Sequence, residues 1–225
     1  MNAYVSGGSR GLGLALVRAL VEQGWKVITD ARDGAELDAR TRSLGPQVMA
    51  VAGDVADPNH REQVRAAAHD LGSLDLIVNN ASHLGPSPQP NLQAYPLEDL
   101  RRVYEVNLMA PLALLQQLLP VLSSEGVVIN VSSDAAVEGY EGWGGYGSSK
   151  AALEQLSRVL AAEHPELRVY WVDPGDMNTR MQQEAFPGED VSDRPPPEAS
   201  VPGFLALIKH RPPSGRYQAR AIDLP

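Results

Sequence analysis

The chain has no cysteine, which removes disulfides, thiolate nucleophiles and cysteine metal sites together and fits a protein made and kept in the reducing cytosol. Long apolar runs are missing too. No stretch reaches the roughly twenty apolar residues that a membrane-spanning helix needs, so no membrane partner is expected. Met1–Val5 enters a strand-like stretch with no basic region ahead of it, and no secretory signal is expected. Lysine is scarce, with only Lys26, Lys150 and Lys209. The net charge is −9, so the surface repels phosphate backbones and nucleic acid is not an expected partner; any bound phosphate must be held locally. The five histidines, His60, His69, His83, His164 and His210, form no ligand pair at helical spacing; they read as surface or structural residues, with no metal site.

What remains is ordinary globular material: 43% hydrophobic and 21% charged residues in 225, enough for one domain to bury about three quarters of its unfolded surface. Short runs rich in Val and Ile, at Ala3–Val5, Lys26–Asp30, Val48–Ala52, Leu74–Asn79, Val127–Ser132 and Arg168–Val172, predict buried strands. Stretches with helical periodicity lie between them, at Leu12–Gln23, Pro58–Leu71, Pro96–Leu119 and Gly147–Glu163. Strands buried on both faces need helical crossovers to run parallel, so the alternation predicts one doubly wound α/β domain with a parallel, Rossmann-like sheet over residues 1–225. After Arg180 the pattern dissolves. Phe186–Ser200 is rich in proline and acid, and residues 181–200 are expected to form a loop or lid over substrate. A short helix over Val201–Ile208 and a last strand near Tyr217–Ile222 close the chain.

Two local patterns carry chemistry. Ser6-Gly-Gly-Ser-Arg-Gly-Leu-Gly13 lies between the first strand and the first helix, where glycines let the backbone approach a pyrophosphate and the helix N-terminus favours its charge. Tyr146 and Lys150 stand four apart, on one face of a helix, with Ser133 thirteen residues upstream at a strand end. An ammonium beside a phenol favours the phenolate, so the pair is expected to handle a proton while Ser133 hydrogen-bonds a developing oxyanion. The loop Gly139–Gly145, with Tyr140 and Trp143, reads either as an apolar wall of a substrate pocket or as simple packing.

The three-residue gap between Gly7 and Gly11, Asn79-Asn80-Ala81-Ser82 at a strand end, and Tyr146-x-x-x-Lys150 together resemble the classical short-chain dehydrogenases/reductases. Ser82 departs from that pattern, which has glycine there. The resemblance implies hydride transfer between a nicotinamide cofactor and a small carbonyl or alcohol. Serine 133 would orient the carbonyl, Tyr146 would transfer the proton, Lys150 would lower the tyrosine pKa and bond the nicotinamide ribose, and Asn107 would hold a water in the proton relay. It implies cofactor contacts from Gly7, Ser9, Arg10, Gly11, Leu12 and Gly13 in the loop, from Asn80 and Ala81, and from Tyr146 and Lys150. Asp54 and Val55 would meet the adenine, and Pro174, Gly175 and Thr179 the nicotinamide side. Cofactor choice rests on the end of the second strand. Asp30 there would suit the ribose hydroxyls of NAD, but the family's discriminating place falls at Ala31 with Arg32 next, and Arg10 and Arg32 together favour NADP, leaving NAD open. The alternative is a non-catalytic NADP-binding sensor on the same fold; a methyltransferase using S-adenosylmethionine leaves Ser133, Tyr146 and Lys150 unexplained. Apolar residues on several faces of the helices Pro96–Leu119 and Gly147–Glu163, including Leu112, Leu115, Leu118, Leu153, Leu156 and Leu160, together with the family's habit, point to a homodimer or homotetramer.

Overall fold

A computed structural model describes residues 1–223. Seven strands form one parallel sheet: β1 (Asn2–Val5), β2 (Lys26–Ala31), β3 (Val48–Ala52), β4 (Leu74–Asn79), β5 (Leu122–Val131), β6 (Arg168–Asp173) and β7 (Gly215–Gln218), in the order β3-β2-β1-β4-β5-β6-β7. The direction of winding reverses between β1 and β4, which opens a crevice beyond their carboxyl ends, where open α/β sheets bind ligands.

The sheet buries both faces by strand alternation. Ala3 and Val5 of β1, Val127, Ile129 and Val131 of β5, and Tyr170 and Val172 of β6 point to one side. There they meet Leu16 and Leu20 of α1 (Gly11–Glu22) and, from the chain's end, Phe204 and Leu207 of a helix over Val201–His210. Tyr4, Val128 and Val169 point to the other side, against Val64 of a helix over Pro58–Leu71, Leu114 and Leu118 of one over Ala110–Leu118, and Leu160 of one over Gly144–Glu163. Each such fully buried Leu or Val contributes about 1.5–3 kcal/mol. The α1 helix stops where Gly24, at φ +83°, takes the left-handed turn: its amide bonds the Val21 carbonyl and the Trp25 amide bonds that of Leu20.

Completing the chain order, α2 covers Gly34–Thr41, α3 Pro58–Leu71, α4 Leu97–Tyr104, α5 Ala110–Leu118, α6 Gly144–Glu163, α7 Arg180–Ala185 and α8 Val201–His210. Several boundaries differ from expectation. The single helix expected over Pro96–Leu119 is two, α4 and α5, joined by a π turn at Glu105–Met109. Proline 111 has no N–H for the Asn107 carbonyl four residues earlier, and the ladder widens so that the Ala110 amide bonds Glu105 instead. Strand β5 begins at Leu122 rather than Val127, because Leu122 pairs with Leu74 across an irregular register before regular pairing resumes at Val127 with Leu76. The last strand is Gly215–Gln218, and Ala219–Ala221, expected within it, is a tight turn. Helix α2 was not expected; Asp33 caps it by accepting from the Glu36 amide. Helix α7, also unexpected, begins the segment expected as a loop or lid. Val191 within that segment is 3% exposed, and the Asn178 amide bonds the Pro195 carbonyl. Of the six leucines taken as surplus apolar surface, Leu115, Leu118, Leu153 and Leu160 are buried within this one chain, so they leave little of that surface for a partner.

Candidate active site

A cleft of about 1030 Å³ opens at the reversal point. Gly7, Ser9, Arg10, Gly11, Leu12 and Gly13 of the loop line it, as do Arg32, Asp54, Val55, Asn80, Ala81, Tyr146, Lys150, Pro174 and Thr179. Gly175 and Ser133 line a smaller recess of about 80 Å³ beside it, and Asn107 lies in the wall behind.

The glycine loop is shaped for close approach. Gly7 sits at φ +73°, and a Cβ on Gly13 would stand 2.2 Å from the Gly7 carbonyl oxygen, so only glycine lets α1 start that near the loop. Ser6 ties the loop to the strand beside it: its Oγ accepts from the amides of Asn80 and Ala81, each at 2.9 Å, while Asn80 Nδ2 donates to the Ser6 carbonyl at 2.8 Å. Helix α1 has no side-chain cap and no acid in its first turn, so its leading amides stand open toward the cleft, the donor set that a pyrophosphate requires. Arg10 and Arg32 line the same end and form no salt bridge among the described residues. Asp54 is gripped by Arg102 of α4. Burial pushes its carboxyl up, but the Ala56 amide and Arg102 outweigh that and hold it below the usual range.

Asp30 bears on one of the two readings of cofactor choice. It is 1% exposed and turns inward: Oδ1 accepts from the Gly7 amide at 2.8 Å, and Oδ2 from the Tyr4 hydroxyl at 2.6 Å. Both oxygens are engaged within the protein, although Asp30 also lines the cleft, so its carboxylate is already committed to holding the loop.

Serine 133, Tyr146 and Lys150 come together at the far wall. The Lys150 ammonium nitrogen lies 5.5 Å from the Tyr146 ring centre and donates to the Val131 carbonyl at 2.8 Å. Burial pushes the Tyr146 phenol up to about 12, against the hydroxyls of Ser82 and Ser133, which favour its ionised form; the carboxylates of Asp134 and Asp173 add to the rise. Burial also pushes the Lys150 amine down to about 7. Desolvation is the largest cause of both shifts, and it acts on each group against its charged form. The Ser133 Oγ donates to Asp134 at 2.9 Å and caps a short turn through the Ala135 amide.

Asn107 is fully buried, and its side chain is used within the protein. Nδ2 donates to the His83 carbonyl and to Ser149 Oγ, both at 2.9 Å, while Oδ1 accepts from the His83 amide at 2.8 Å and from Ser82 Oγ at 3.2 Å. Ser82, the departure from the family pattern, thus places a hydroxyl between Asn107 and Tyr146.

The sequence reading missed several contributors. His83 is half-buried and lines the cleft, and burial, helped by Arg102 and Arg32, lowers its pKa. Glu154 of α6, 1% exposed, accepts from Ser132 Oγ at 2.7 Å and from Arg216 of β7 at 2.9 Å; Arg216 also donates to the Ser133 carbonyl at 3.2 Å. No local spacing announces this network, because its members lie on three elements distant in sequence. On the substrate side, Trp143 packs edge-on against Tyr146, meets Phe186 and borders the recess, whereas Tyr140 is exposed, so of Gly139–Gly145 only Trp143 lines that space. Asp173 accepts from the Gly175 amide, as part of the turn.

Residues 1–190 match the family model described as short chain dehydrogenase. The chain is 35% identical to a serine 3-dehydrogenase of Agrobacterium fabrum over 182 residues, which is 79% of this chain and 72% of the relative. It is 35% identical to an L-xylulose reductase of Bos taurus over 191 residues, 82% and 75% of the two chains. Among solved structures, a short chain dehydrogenase of Shigella flexneri complexed with NADP superposes with TM-score 0.89 at 27% identity, covering 97% of this chain and 96% of the other. Among the described residues no helix is long and apolar enough to cross a membrane.

Proposed function

This chain belongs to the short chain dehydrogenase family, and on that premise we propose that it is an NADP-dependent reductase of small ketones or aldehydes, with Tyr146 as proton donor. The single observation that carries this reading is the meeting of Ser133, Tyr146 and Lys150 at one wall of the cleft while the open amides of α1 face its other end. When bound, the reduced nicotinamide supplies hydride to the carbonyl carbon.

The chain's own residues do the rest. Burial keeps the Tyr146 phenol protonated, which suits an acid that delivers its proton to the carbonyl oxygen as charge develops there. Serine 133 turns its hydroxyl from Asp134 to that same oxygen and orients it. Lys150, in its charged form, steadies the phenolate that the proton leaves behind. Asn107 holds the His83 segment and α6 in register, and Arg216 with Glu154 holds the backbone under Ser133. At the other end, the loop and α1 take the pyrophosphate, and Arg10 and Arg32 take the 2′-phosphate that distinguishes NADP. NADP- and NADPH-complexed structural neighbours support that preference. The recess of about 80 Å³ between Trp143, Tyr146 and Met181 suits a small substrate, with residues 181–200 as its cover.

The test is consumption of NADPH and of NADH over a panel of aldehydes, ketones and quinones. Turnover with at least one class, faster with NADPH, is expected. Tight NADPH binding with no turnover on any compound would overturn the enzymatic reading in favour of a sensor.

A further inference from the structure

Beneath the glycine loop lies a polar cluster that the proposed chemistry does not use. Tyr4 of β1, Asp30 of β2 and His60 of α3 are 0%, 1% and 3% exposed and converge on one carboxylate. Asp30 Oδ2 takes the Tyr4 hydroxyl at 2.6 Å and His60 Nε2 at 3.1 Å, while Oδ1 takes the Gly7 amide at 2.8 Å. The Asp30 backbone carbonyl takes the Gly8 amide at 2.9 Å. One residue thus holds two successive amides of the loop.

The cluster also reaches the adenine end. An acceptor at Oδ2 requires the imidazole hydrogen on Nε2, which leaves Nδ1 without a partner and directed at Gly53; a Cβ on Gly53 would stand 2.2 Å from it. Gly53 lines the cleft next to Asp54 and Val55. Within the dinucleotide end of the cleft, His60 therefore underlies the adenine side as Asp30 underlies the glycine loop. Burial and the neighbouring carboxylate raise the Tyr4 phenol well above its ordinary value, so it stays a donor.

We propose that Tyr4, Asp30 and His60 form an internal clamp that positions the dinucleotide loop and the adenine floor, which makes Asp30 a positioning residue that sets affinity for both cofactors without choosing between them. The inference rests on the nicotinamide-dinucleotide reading of the cleft. A buried carboxylate without its donors must seek others, and the nearest are the loop amides it already holds; loss of Tyr4 or His60 therefore distorts the loop rather than the catalytic wall.

The test has two arms. In cofactor-free protein labelled with 15N-glycine, hydrogen exchange at the Gly7 and Gly8 amides should be slow, and faster by about tenfold or more in Asp30→Ala or in His60→Leu. By fluorescence titration, the same variants and Tyr4→Phe should weaken NADPH and NADH by equal factors of about ten, with kcat at saturating NADPH within about twofold of wild type. His60→Gln, which keeps a donor toward Asp30, should recover most of the affinity. Should Asp30→Ala fail to fold, Tyr4→Phe and His60→Leu carry both arms. A changed NADPH-to-NADH ratio in any of these variants would overturn the proposal and return Asp30 to the ribose; so would unchanged exchange at Gly7. Failure of wild type to bind either dinucleotide would defeat the cofactor reading, while the exchange arm would still decide whether the clamp holds the loop.

Discussion

The two ends of the cleft are built on different principles. At the dinucleotide end, backbone amides face the ligand space and buried side chains hold that backbone from behind: Ser6 against Asn80 and Ala81, Asp30 against Gly7, with glycines wherever a side chain would collide. At the reacting end the side chains themselves face the space, and burial holds the Tyr146 phenol to its proton more tightly than water does while it loosens the proton of Lys150. The first end keeps strain low and donors in place. The second gives up stability for reactivity, as sites that tune a proton commonly do.

That contrast can be broken in four ways. The largest effect is expected for Lys150→Met, which should lower kcat/KM by about 10²–10⁴. The same change should make the protein more stable. Lys150 has a folded pKa of about 7 against 10.5 unfolded, so the folded state binds fewer protons between those values and stability rises with pH across that window. At pH 7 the buried amine costs about 4 kcal/mol, and removing it forfeits about 1 kcal/mol of hydrogen bond to Val131. The cofactor-free melting temperature should therefore rise by about 5–10 °C, with loss of the upward slope from pH 7 to 9. Scanning calorimetry over that range checks it.

Next is Arg32→Ala. It should weaken NADPH by about tenfold or more while NADH changes by less than about twofold, in paired titrations. Smaller again is Arg216→Ala, which frees the Ser133 carbonyl and leaves the buried Glu154 short of a partner; steady-state assays should give a fall of about tenfold in kcat with little change in NADPH affinity. Smallest is Ser82→Gly, which restores the family pattern but removes a hydroxyl that favours the Tyr146 phenolate. Alcohol oxidation, which needs the phenolate, should slow by about two- to fivefold, and its pH profile should move to higher pH, with reduction nearly unaltered.

The same contrast governs what was legible in the sequence. The dinucleotide end is made of contiguous motifs, so the loop, Asn80-Ala81 and Asp54-Val55 could be read directly, and the structure places all of them on one cleft. The sheet was legible because strands buried on both faces appear as runs of Val and Ile. Asp30 was only half legible: its position could be counted but not its inward turn, because that depends on Tyr4 and His60, 26 and 30 residues away in the chain. The π turn was missed although Pro111 is visible, since periodicity alone continues through it. The Glu154–Arg216 network had no signal, because a part-buried ion pair across α6 and β7 leaves no spacing to detect. The downward shift of Lys150 was also out of reach: i to i+4 spacing shows that two groups meet but not how dry the place is where they meet.

The most direct test of the account is Tyr146→Phe, titrated with NADPH and then assayed on the best substrate of the carbonyl panel. The account predicts NADPH affinity within about twofold of wild type and turnover reduced by about 10²–10⁴. Turnover that survives in Tyr146→Phe would contradict it, because the proton would then come from another group and the division between a gripping end and a reacting end would not hold.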